Sequence, residues 1–174
     1  MDNIRITSGN LRGRTLHSPR SDSTHPMGSR EKIALFNMIS DYLPGAKVLD
    51  AFAGSGALGI EALSRGAERA FFVEKSPKVA HTLVENLKSL NLTGASEIFV
   101  GEVKKYVAID KFDVIIADPP YDKFELDDIL YLTQFLKQGG ILVLSHPEDA
   151  PKIPGLRLEK SKKYAGAHLS IFTF

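Results

Sequence analysis

Short apolar runs alternate with stretches of helical spacing along most of this chain. The runs are nearly continuous, as in strands covered on both faces, and predict strands at 47–51, 70–74, 97–100, 112–117 and 141–145. Apolar residues that recur every three or four positions predict helices at 29–42, 57–65, 77–90 and 126–137. This alternation predicts an α/β domain with a mostly parallel, doubly wound, Rossmann-like sheet.

The N-terminal segment follows another pattern. Residues 4–16 alternate loosely between apolar and polar positions, with Gly9 and Gly13 at turn points, which predicts a short strand pair or arm. Residues 17–28 are polar and contain two prolines, as expected for a loop. Ser29 then has a residue type that caps helices, so we expect it to be the N-cap of the first helix.

The C-terminal segment is strand-like. Residues 157–164 and 168–174, separated by Ala165-Gly-Ala167, predict an antiparallel hairpin added to the edge of the sheet. We therefore expect two units along the chain, a basic arm or hairpin over 1–28 and a single Rossmann-like domain over 29–174.

Length and composition narrow the class of protein. A chain of 174 residues suffices for one domain that buries about 70% of the surface of its unfolded form. The absence of cysteine excludes disulfides, thiolate metal sites and a cysteine nucleophile, and the five histidines show no ligand spacing, so we expect no bound metal. Because no leader-like or membrane-length apolar run occurs, we expect a cytoplasmic protein without membrane contact.

The net charge of +1 hides an uneven distribution of charge. Residues 1–32 carry six Lys and Arg against three acids, and residues 157–163 carry four against one. Residues 33–156 carry twelve against seventeen. Basic segments on both sides of an acidic centre suit a protein that approaches a polyphosphate with its periphery and holds a cationic ligand at its centre.

The segment 48–59 contains the pattern G-x-G-x-x-G in Gly54, Gly56 and Gly59. By itself this is weak evidence for a dinucleotide site at a helix N-terminus. Here Asp50-Ala-Phe-Ala separates the apolar strand from the first glycine, and this longer loop suits a ligand without a pyrophosphate. Asp50 supplies negative charge and the glycines allow close approach of the backbone, so a cationic ligand such as S-adenosylmethionine fits.

A second carboxylate ends the next predicted strand. Glu74 closes the run 70–74 and lies 20 residues after Gly54. In this topology a carboxylate at about that offset receives the ribose hydroxyls of an adenosyl group. We therefore predict that Glu74 binds a ribose; the alternative is an ordinary glutamate at a strand end.

The rarer motif is Asp118-Pro-Pro-Tyr121, at the carboxyl end of the run 112–117. Ligands of open α/β sheets bind outside that edge. Because proline has no N–H, the local backbone presents acceptors only, which suits a planar group rich in donors. The Asp118 carboxylate and the Pro119 carbonyl could hold the hydrogens of an exocyclic amine, while Tyr121 stacks on the base. In isolation the motif is equally well explained as a turn after a strand.

Together these segments resemble the bacterial 16S ribosomal RNA guanine-N2 methyltransferases of the RsmD type, over nearly the whole chain. Arg5–Leu16 is similar to the family's opening R-I-I-x-G-x-x-R-G-R-x-L, and Asp118–Tyr121 fits its D-P-P-[FY]. The other matching segments are His25-Pro26, Arg30, Leu35–Asn37, Phe52–Gly59 and Glu61–Ala67. The positions that depart from the family pattern are Met27, Gly28, Glu31, Ile33 and Glu102, the last standing where an aspartate is common.

The resemblance implies a class I methyltransferase fold and methyl transfer from S-adenosylmethionine, which leaves S-adenosylhomocysteine, to the N2 amine of a guanine in 16S RNA. It implies 16S RNA as the partner, within the small subunit or an assembly intermediate, with no obligate protein partner. The residues that would hold the guanine are Asp118, Pro119, Pro120 and Tyr121. The residues that would bind the cofactor are Asp50, Phe52, Gly54, Ser55, Gly56, Glu74, Glu102 and Val103. The residues expected to contact RNA phosphates are Arg5, Arg12, Arg14 and Arg30.

Other functions remain open at this point. The Asp118-Pro-Pro-Tyr121 motif also serves enzymes that methylate adenine amines, so adenine-N6 methylation of RNA or DNA is an alternative. A catalytically silent RNA-binding assembly factor is another, although a pure binding protein has no use for an amine clamp beside a cofactor. A nicotinamide-dependent oxidoreductase is disfavoured by the spacer between Asp50 and Gly54.

Overall fold

The computed structural model describes residues 4–18, 27–164 and 167–174. Its strands are β1 (Ile4–Arg5), β2 (Thr15–Leu16), β3 (Lys47–Asp50), β4 (Arg69–Glu74), β5 (Ser96–Val100), β6 (Phe112–Ala117), β7 (Leu136–His146), β8 (Arg157–Tyr164) and β9 (Ala167–Thr173). Its α-helices are α1 (Ser29–Met38), α2 (Ala57–Ser64), α3 (Pro77–Ser89) and α4 (Leu126–Thr133). The family match at His25-Pro26 and the turn predicted at Ala165-Gly166 lie outside the described residues.

Seven strands form one sheet in the order β5-β4-β3-β6-β7-β9-β8. The first five pair in parallel, whereas β9 is antiparallel to both β7 and β8. The predicted doubly wound parallel sheet with a C-terminal antiparallel hairpin at its edge is therefore confirmed. The strand order reverses between β3 and β6, and in open α/β sheets ligands bind at the carboxyl ends beside such a switch point.

Neighbouring residues of the central strands pack on opposite faces of the sheet. Val48 and Val114 belong to the apolar cluster that includes α1 and α2, whereas Leu49 and Ile115 belong to the cluster that includes α4. All four are fully buried. Burial on both faces explains why these strands read as continuous apolar runs.

The N-terminal arm, residues 4–18, packs on the outer side of α2 and α3. β1 and β2 pair antiparallel, as the alternation of residues 4–16 predicts. Ile6 and Leu16 are buried in one cluster with Ile60 of α2 and Leu83 of α3. The arm thus packs against α2, the helix that follows the glycine loop, and against α3.

The first helix begins and ends differently from the prediction. Gly28, not Ser29, occupies the N-cap position, and no side chain caps the helix there. α1 ends at Met38, and a 3-10 turn at Ser40–Tyr42 completes the predicted helical stretch.

The prediction for the fourth helix was too long. α4 ends at Thr133, and β7 begins at Leu136 instead of Ile141. Leu136 packs in the same cluster as Ile129 and Leu132, so its helical spacing continues although the backbone is already extended. No helix in the described ranges is long and apolar enough to cross a membrane.

Candidate active site

Asp50 ends β3 with its carboxylate buried, 1% exposed, at the carboxyl edge of the sheet. Its Oδ2 accepts a 2.8 Å hydrogen bond from the backbone N–H of Gly59, whereas its Oδ1 has no partner among the described residues. The pKa of Asp50 is raised to about 7, mainly by burial and also by the nearby charges of Asp118 and Glu74, while the hydrogen bond from Gly59 opposes the rise. A buried carboxylate oxygen without a partner is costly unless a ligand supplies a donor or a positive charge. The donor set therefore fits an ammonium group.

The three glycines of the motif have different tasks. Gly54 has a left-handed φ of 54°, and a Cβ there would meet nothing within 4 Å, so this residue borders open space. At Gly56 a Cβ would lie 2.3 Å from the Leu83 side chain, and at Gly59 it would lie 2.3 Å from the Phe72 ring. Gly56 and Gly59 therefore let the start of α2 pack against α3 and β4, while Gly54 keeps the loop open towards a ligand.

Glu74 ends β4 and fastens the glycine loop. Its Oε2 accepts a 2.8 Å hydrogen bond from the Gly54 N–H, and its Oε1 accepts a 2.7 Å hydrogen bond from the Ser76 N–H. Each carboxylate oxygen has further acceptor capacity for a hydroxyl. The residue predicted to bind a ribose thus lies beside the loop and also orders it, a role that the sequence did not reveal.

The other residues predicted to bind the cofactor differ in burial and in their neighbours. Ser55 is buried in the loop, and Phe52 is partly buried against the apolar cluster that includes α4. Val103 is buried in that cluster too. The Glu102 side chain is half exposed and forms ion pairs of 3.8 Å with Lys75 and 3.3 Å with Lys105. Contacts of Glu102 and Val103 with an adenine ring stay predictions.

Asp118 follows β6, directly beside the end of β3. Asp50 pairs with Ile116 in the sheet, and the Ala51 N–H donates a 2.9 Å hydrogen bond to the Ile116 carbonyl. Burial raises the pKa of Asp118 to about 6, and a hydrogen bond from the Ser145 hydroxyl opposes part of this rise. The two halves predicted from separate motifs therefore meet at one edge of the sheet.

Tyr121 is held in place by β7. Its hydroxyl lies 2.6 Å from the Oγ of Ser145, which is itself buried near the end of β7. Because Ser145 interacts with both Tyr121 and Asp118, it orients the two ends of the motif. Pro119 is buried between them and Pro120 is exposed. Ser145 was missed because nothing in the local sequence marks it.

A cavity of about 460 Å³ opens beside this motif. Tyr121, Phe124, His146 and Pro147 are among the residues that line it. Its volume is in the range of small-molecule sites, and its aromatic walls suit a planar ring. The cavity places open space on the same side as Tyr121, where a nucleobase is expected.

The four predicted phosphate-binding arginines are exposed. Arg5, Arg12 and Arg14 lie on the arm, and Arg30 lies in the first turn of α1. None of them forms an ion pair with another described residue, although Arg14 donates a 3.4 Å hydrogen bond to the Ser89 carbonyl. The charge of Glu31, next to Arg30, raises the pKa of Tyr121, after the larger effect of burial. The start of α1 therefore lies close to the Asp118-Pro-Pro-Tyr121 motif.

A buried carboxylate that the sequence prediction overlooked joins the arm to α2. Glu61 is fully buried and accepts hydrogen bonds of 2.9 Å from the Thr7 N–H, 2.6 Å from the Thr7 hydroxyl and 3.0 Å from the Ser8 N–H. Arg65 and Lys32 pair with it at 2.9 Å and 3.5 Å. A signal was present, because an acid in a helix that is otherwise apolar on all sides requires buried partners.

Comparison with known proteins shows which family this chain is similar to. The family model described as Conserved hypothetical protein 95 matches residues 4–173. YlbH of Bacillus subtilis, a candidate rRNA methyltransferase, is 38% identical over 154 residues that cover 84% of each chain. Ribosomal RNA small subunit methyltransferase D of Haemophilus influenzae is 34% identical over 159 residues, 86% of this chain and 82% of that protein. The solved structure of yhhF, a candidate methyltransferase from Escherichia coli, has a TM-score of 0.88 and 28% identity, with 98% of this chain and 97% of that chain covered.

Proposed function

This chain belongs to the RsmD-type family of rRNA methyltransferases, and we propose that it transfers a methyl group from S-adenosylmethionine to the N2 amine of a guanine in 16S RNA of the small subunit. The observation that carries the proposal is the juxtaposition of a buried carboxylate, Asp50, and a partly buried one, Asp118. Asp50 ends β3 with an oxygen available to a cation, and Asp118 follows the neighbouring strand β6 beside a proline-lined acceptor site. A methyl donor and an amine acceptor bound there would share one edge of the sheet.

The cofactor half is supported by the donor set around the glycine loop. When bound, S-adenosylmethionine supplies an electrophilic methyl group carried by a sulfonium. Asp50 would accept hydrogen bonds from its ammonium group, which satisfies Oδ1 and favours the ionised carboxylate. Glu74 would accept from the ribose hydroxyls while it keeps its hold on Gly54. The open space at Gly54 allows the ligand to approach the backbone.

The acceptor half is supported by the chemistry of an exocyclic amine. Its nitrogen lone pair is delocalised into the base, so the amine is a weak nucleophile until acceptors hold its hydrogens. The Asp118 carboxylate and the Pro119 carbonyl would hold them, orient the lone pair and stabilise the positive charge that grows on nitrogen. Because burial raises the pKa of Asp118 to about 6, this carboxylate is ionised at pH 7.5 and is a better base than an exposed aspartate. Asp118 would then take the proton that the amine loses.

The family and the exposed cations support RNA as the partner. Arg5, Arg12, Arg14 and Arg30 would bind phosphates around the target, and Tyr121 would stack on the guanine. A guanine inside a duplex cannot reach Tyr121, so the target is unpaired or flipped out. Methyl transfer measured on naked 16S RNA and on protein-bearing subunits shows which of the two is the preferred substrate.

Equilibrium binding tests the cofactor half of this proposal. Calorimetry should detect binding of S-adenosylmethionine and of S-adenosylhomocysteine to the wild-type protein. Asp50→Ala should abolish binding of both. Binding of a nicotinamide dinucleotide in their place would overturn the assignment. Nucleoside analysis of 16S RNA after incubation with labelled donor tests the acceptor half, with N6-methyladenosine as the outcome that would move the substrate to the adenine alternative.

A further inference from the structure

Asn86 of α3 is fully buried, and its amide group bridges the arm and the glycine loop. Its Oδ1 accepts a 2.8 Å hydrogen bond from the His17 N–H. Its Nδ2 donates hydrogen bonds of 3.0 Å to the His17 carbonyl and 2.9 Å to the Ser55 carbonyl. One side chain therefore pairs with both backbone groups of an arm residue and with the loop that borders the cofactor site.

The orientation of this amide is fixed by its partners. A primary amide has two N–H donors, and both are used on carbonyl oxygens. A flipped amide would place its oxygen against the His17 and Ser55 carbonyls and its NH2 against the His17 N–H. Only the observed orientation satisfies all three backbone groups at once.

The loop that Asn86 contacts contains two glycines, which give its backbone the most conformational freedom. Ser55 lies between Gly54 and Gly56, which have left-handed φ values of 54° and 83°. Glycines lose more conformational entropy on ordering than other residues, so a loop built from them needs external contacts to keep one conformation. The hydrogen bonds from Gly54 to Glu74 and from Asn86 to Ser55 are two such contacts.

The arm is also held at a second place, away from Asn86. The Leu11 N–H donates a 3.0 Å hydrogen bond to the Ser64 hydroxyl, which donates a 2.6 Å hydrogen bond to the Ser8 carbonyl. These contacts lie at the far end of α2 and do not involve the glycine loop. The arm thus has an anchor that touches the loop, at Asn86, and others that do not, at Glu61 and Ser64.

We propose that Asn86 is a positioning residue that couples docking of the arm at His17 to cofactor binding in the glycine loop, an inference that rests on the proposed function. Cofactor binding orders the Ser55 peptide, which strengthens the hydrogen bonds that Asn86 makes to His17. Coupling between two binding events is reciprocal, so arm contacts with RNA strengthen cofactor binding by the same factor. The arm carries Arg5, Arg12 and Arg14, and RNA bound there would thereby favour the loaded cofactor site.

Amide hydrogen exchange of the wild-type protein, measured by NMR with and without S-adenosylhomocysteine, tests the coupling without RNA. The His17 amide, which donates to Asn86, should exchange about tenfold more slowly when the ligand is bound. The Leu11 amide, which donates to Ser64, should change less than twofold. If S-adenosylhomocysteine binds but the His17 amide exchanges at the same rate with and without it, the inference is overturned. No ligand binding at all would instead overturn the proposed function.

A pair of variants separates positioning from general stability. Asn86→Ala should weaken S-adenosylhomocysteine binding about tenfold, as expected when a buried carbonyl loses its donor, and should abolish the protection of His17. Ser64→Ala, the matched control, also removes a buried arm anchor but should leave ligand affinity within twofold. Equal losses of affinity in both variants, or none in Asn86→Ala, would contradict the role of Asn86. If Asn86→Ala does not fold, the wild-type exchange experiment still decides.

Discussion

Asp50 ends β3 and Asp118 follows the neighbouring parallel strand β6, and the charge of Asp118 contributes to the raised pKa of Asp50. Burial is the larger cause at both residues, with pKa values of about 7 and about 6. The charge of Asp118 makes ionisation of the buried Asp50 harder until a cation is bound beside it. The site is therefore electrostatically prepared for a positively charged ligand next to an amine acceptor.

Replacement of Asp118 tests whether this residue acts on the amine and not on the cofactor. Asp118→Ala should lower the rate of methyl transfer at least 100-fold, because the amine loses the acceptor that orients it and takes its proton. Cofactor affinity at pH 7.5 should stay within threefold, measured by calorimetry, and should not fall, because removal of the Asp118 charge makes ionisation of Asp50 easier. A parallel loss of cofactor binding and turnover would contradict the assignment.

Cofactor binding should depend on pH through Asp50. In the free protein its pKa is about 7, and a bound ammonium group lowers it. Binding near pH 6.5 should therefore release a proton, and affinity should fall by up to about tenfold for each pH unit below 7. Calorimetry in two buffers of different ionisation enthalpy measures the proton release. An affinity that is constant from pH 6 to 8 would show that Asp50 does not hold the cation.

The buried network around Glu61 should contribute strongly to stability. Glu61→Gln leaves Lys32 buried beside a neutral group, and loss of one partner of a buried ion pair costs about 3 kcal/mol or more. Glu97→Gln, the matched control, breaks an exposed pair with Arg69 and should cost less than about 1 kcal/mol. Urea denaturation measures both losses in the free energy of unfolding, provided that the slope of this free energy against urea concentration is the same in the variants and the wild type. Equal costs in the two variants would show that the network is not a stabilising anchor for the arm.

The exposed arginines should determine the salt dependence of RNA binding. Single changes Arg5→Gln, Arg12→Gln and Arg30→Gln should each weaken binding and reduce the slope of log affinity against log salt by about 0.7 to 0.9. Lys47 is a suitable control because it lies outside both basic segments, at the start of β3, and is paired with Asp110. Lys47→Gln should leave the slope nearly unchanged. Slopes unaffected by the three arm and helix variants would place the RNA contact elsewhere.

The sequence predicted those parts of the site that lie at the ends of strands. Asp50, Glu74 and Asp118 each follow an apolar run, and the parallel topology brings the carboxyl ends of such runs to one edge. The contacts of Asn86 with His17 and Ser55 span 69 and 31 residues of sequence, and no local pattern marks them. Ser145 likewise reads as part of a buried strand, and only the fold brings it to Tyr121.

The boundaries of elements were predicted less well where packing and backbone geometry disagree with local spacing. Leu136 continues the apolar spacing of α4, but it pairs with Phe112 in the sheet. Gly139 has a φ of 78°, and the register between β6 and β7 shifts nearby. Pairing with a neighbouring strand, which a single stretch of sequence does not contain, decides the conformation there.

The most direct measurement is methyl transfer from labelled S-adenosylmethionine to 16S RNA, offered naked and as protein-bearing small subunits that lack the modification. Mass spectrometry of the nucleosides identifies the product, with Asp118→Ala as the inactive control. Label in N2-methylguanosine with the wild-type protein alone is the predicted result, and its yield on the two substrates shows which particle is recognised. Label in N6-methyladenosine, or no label although the cofactor is bound, would contradict guanine-N2 transfer.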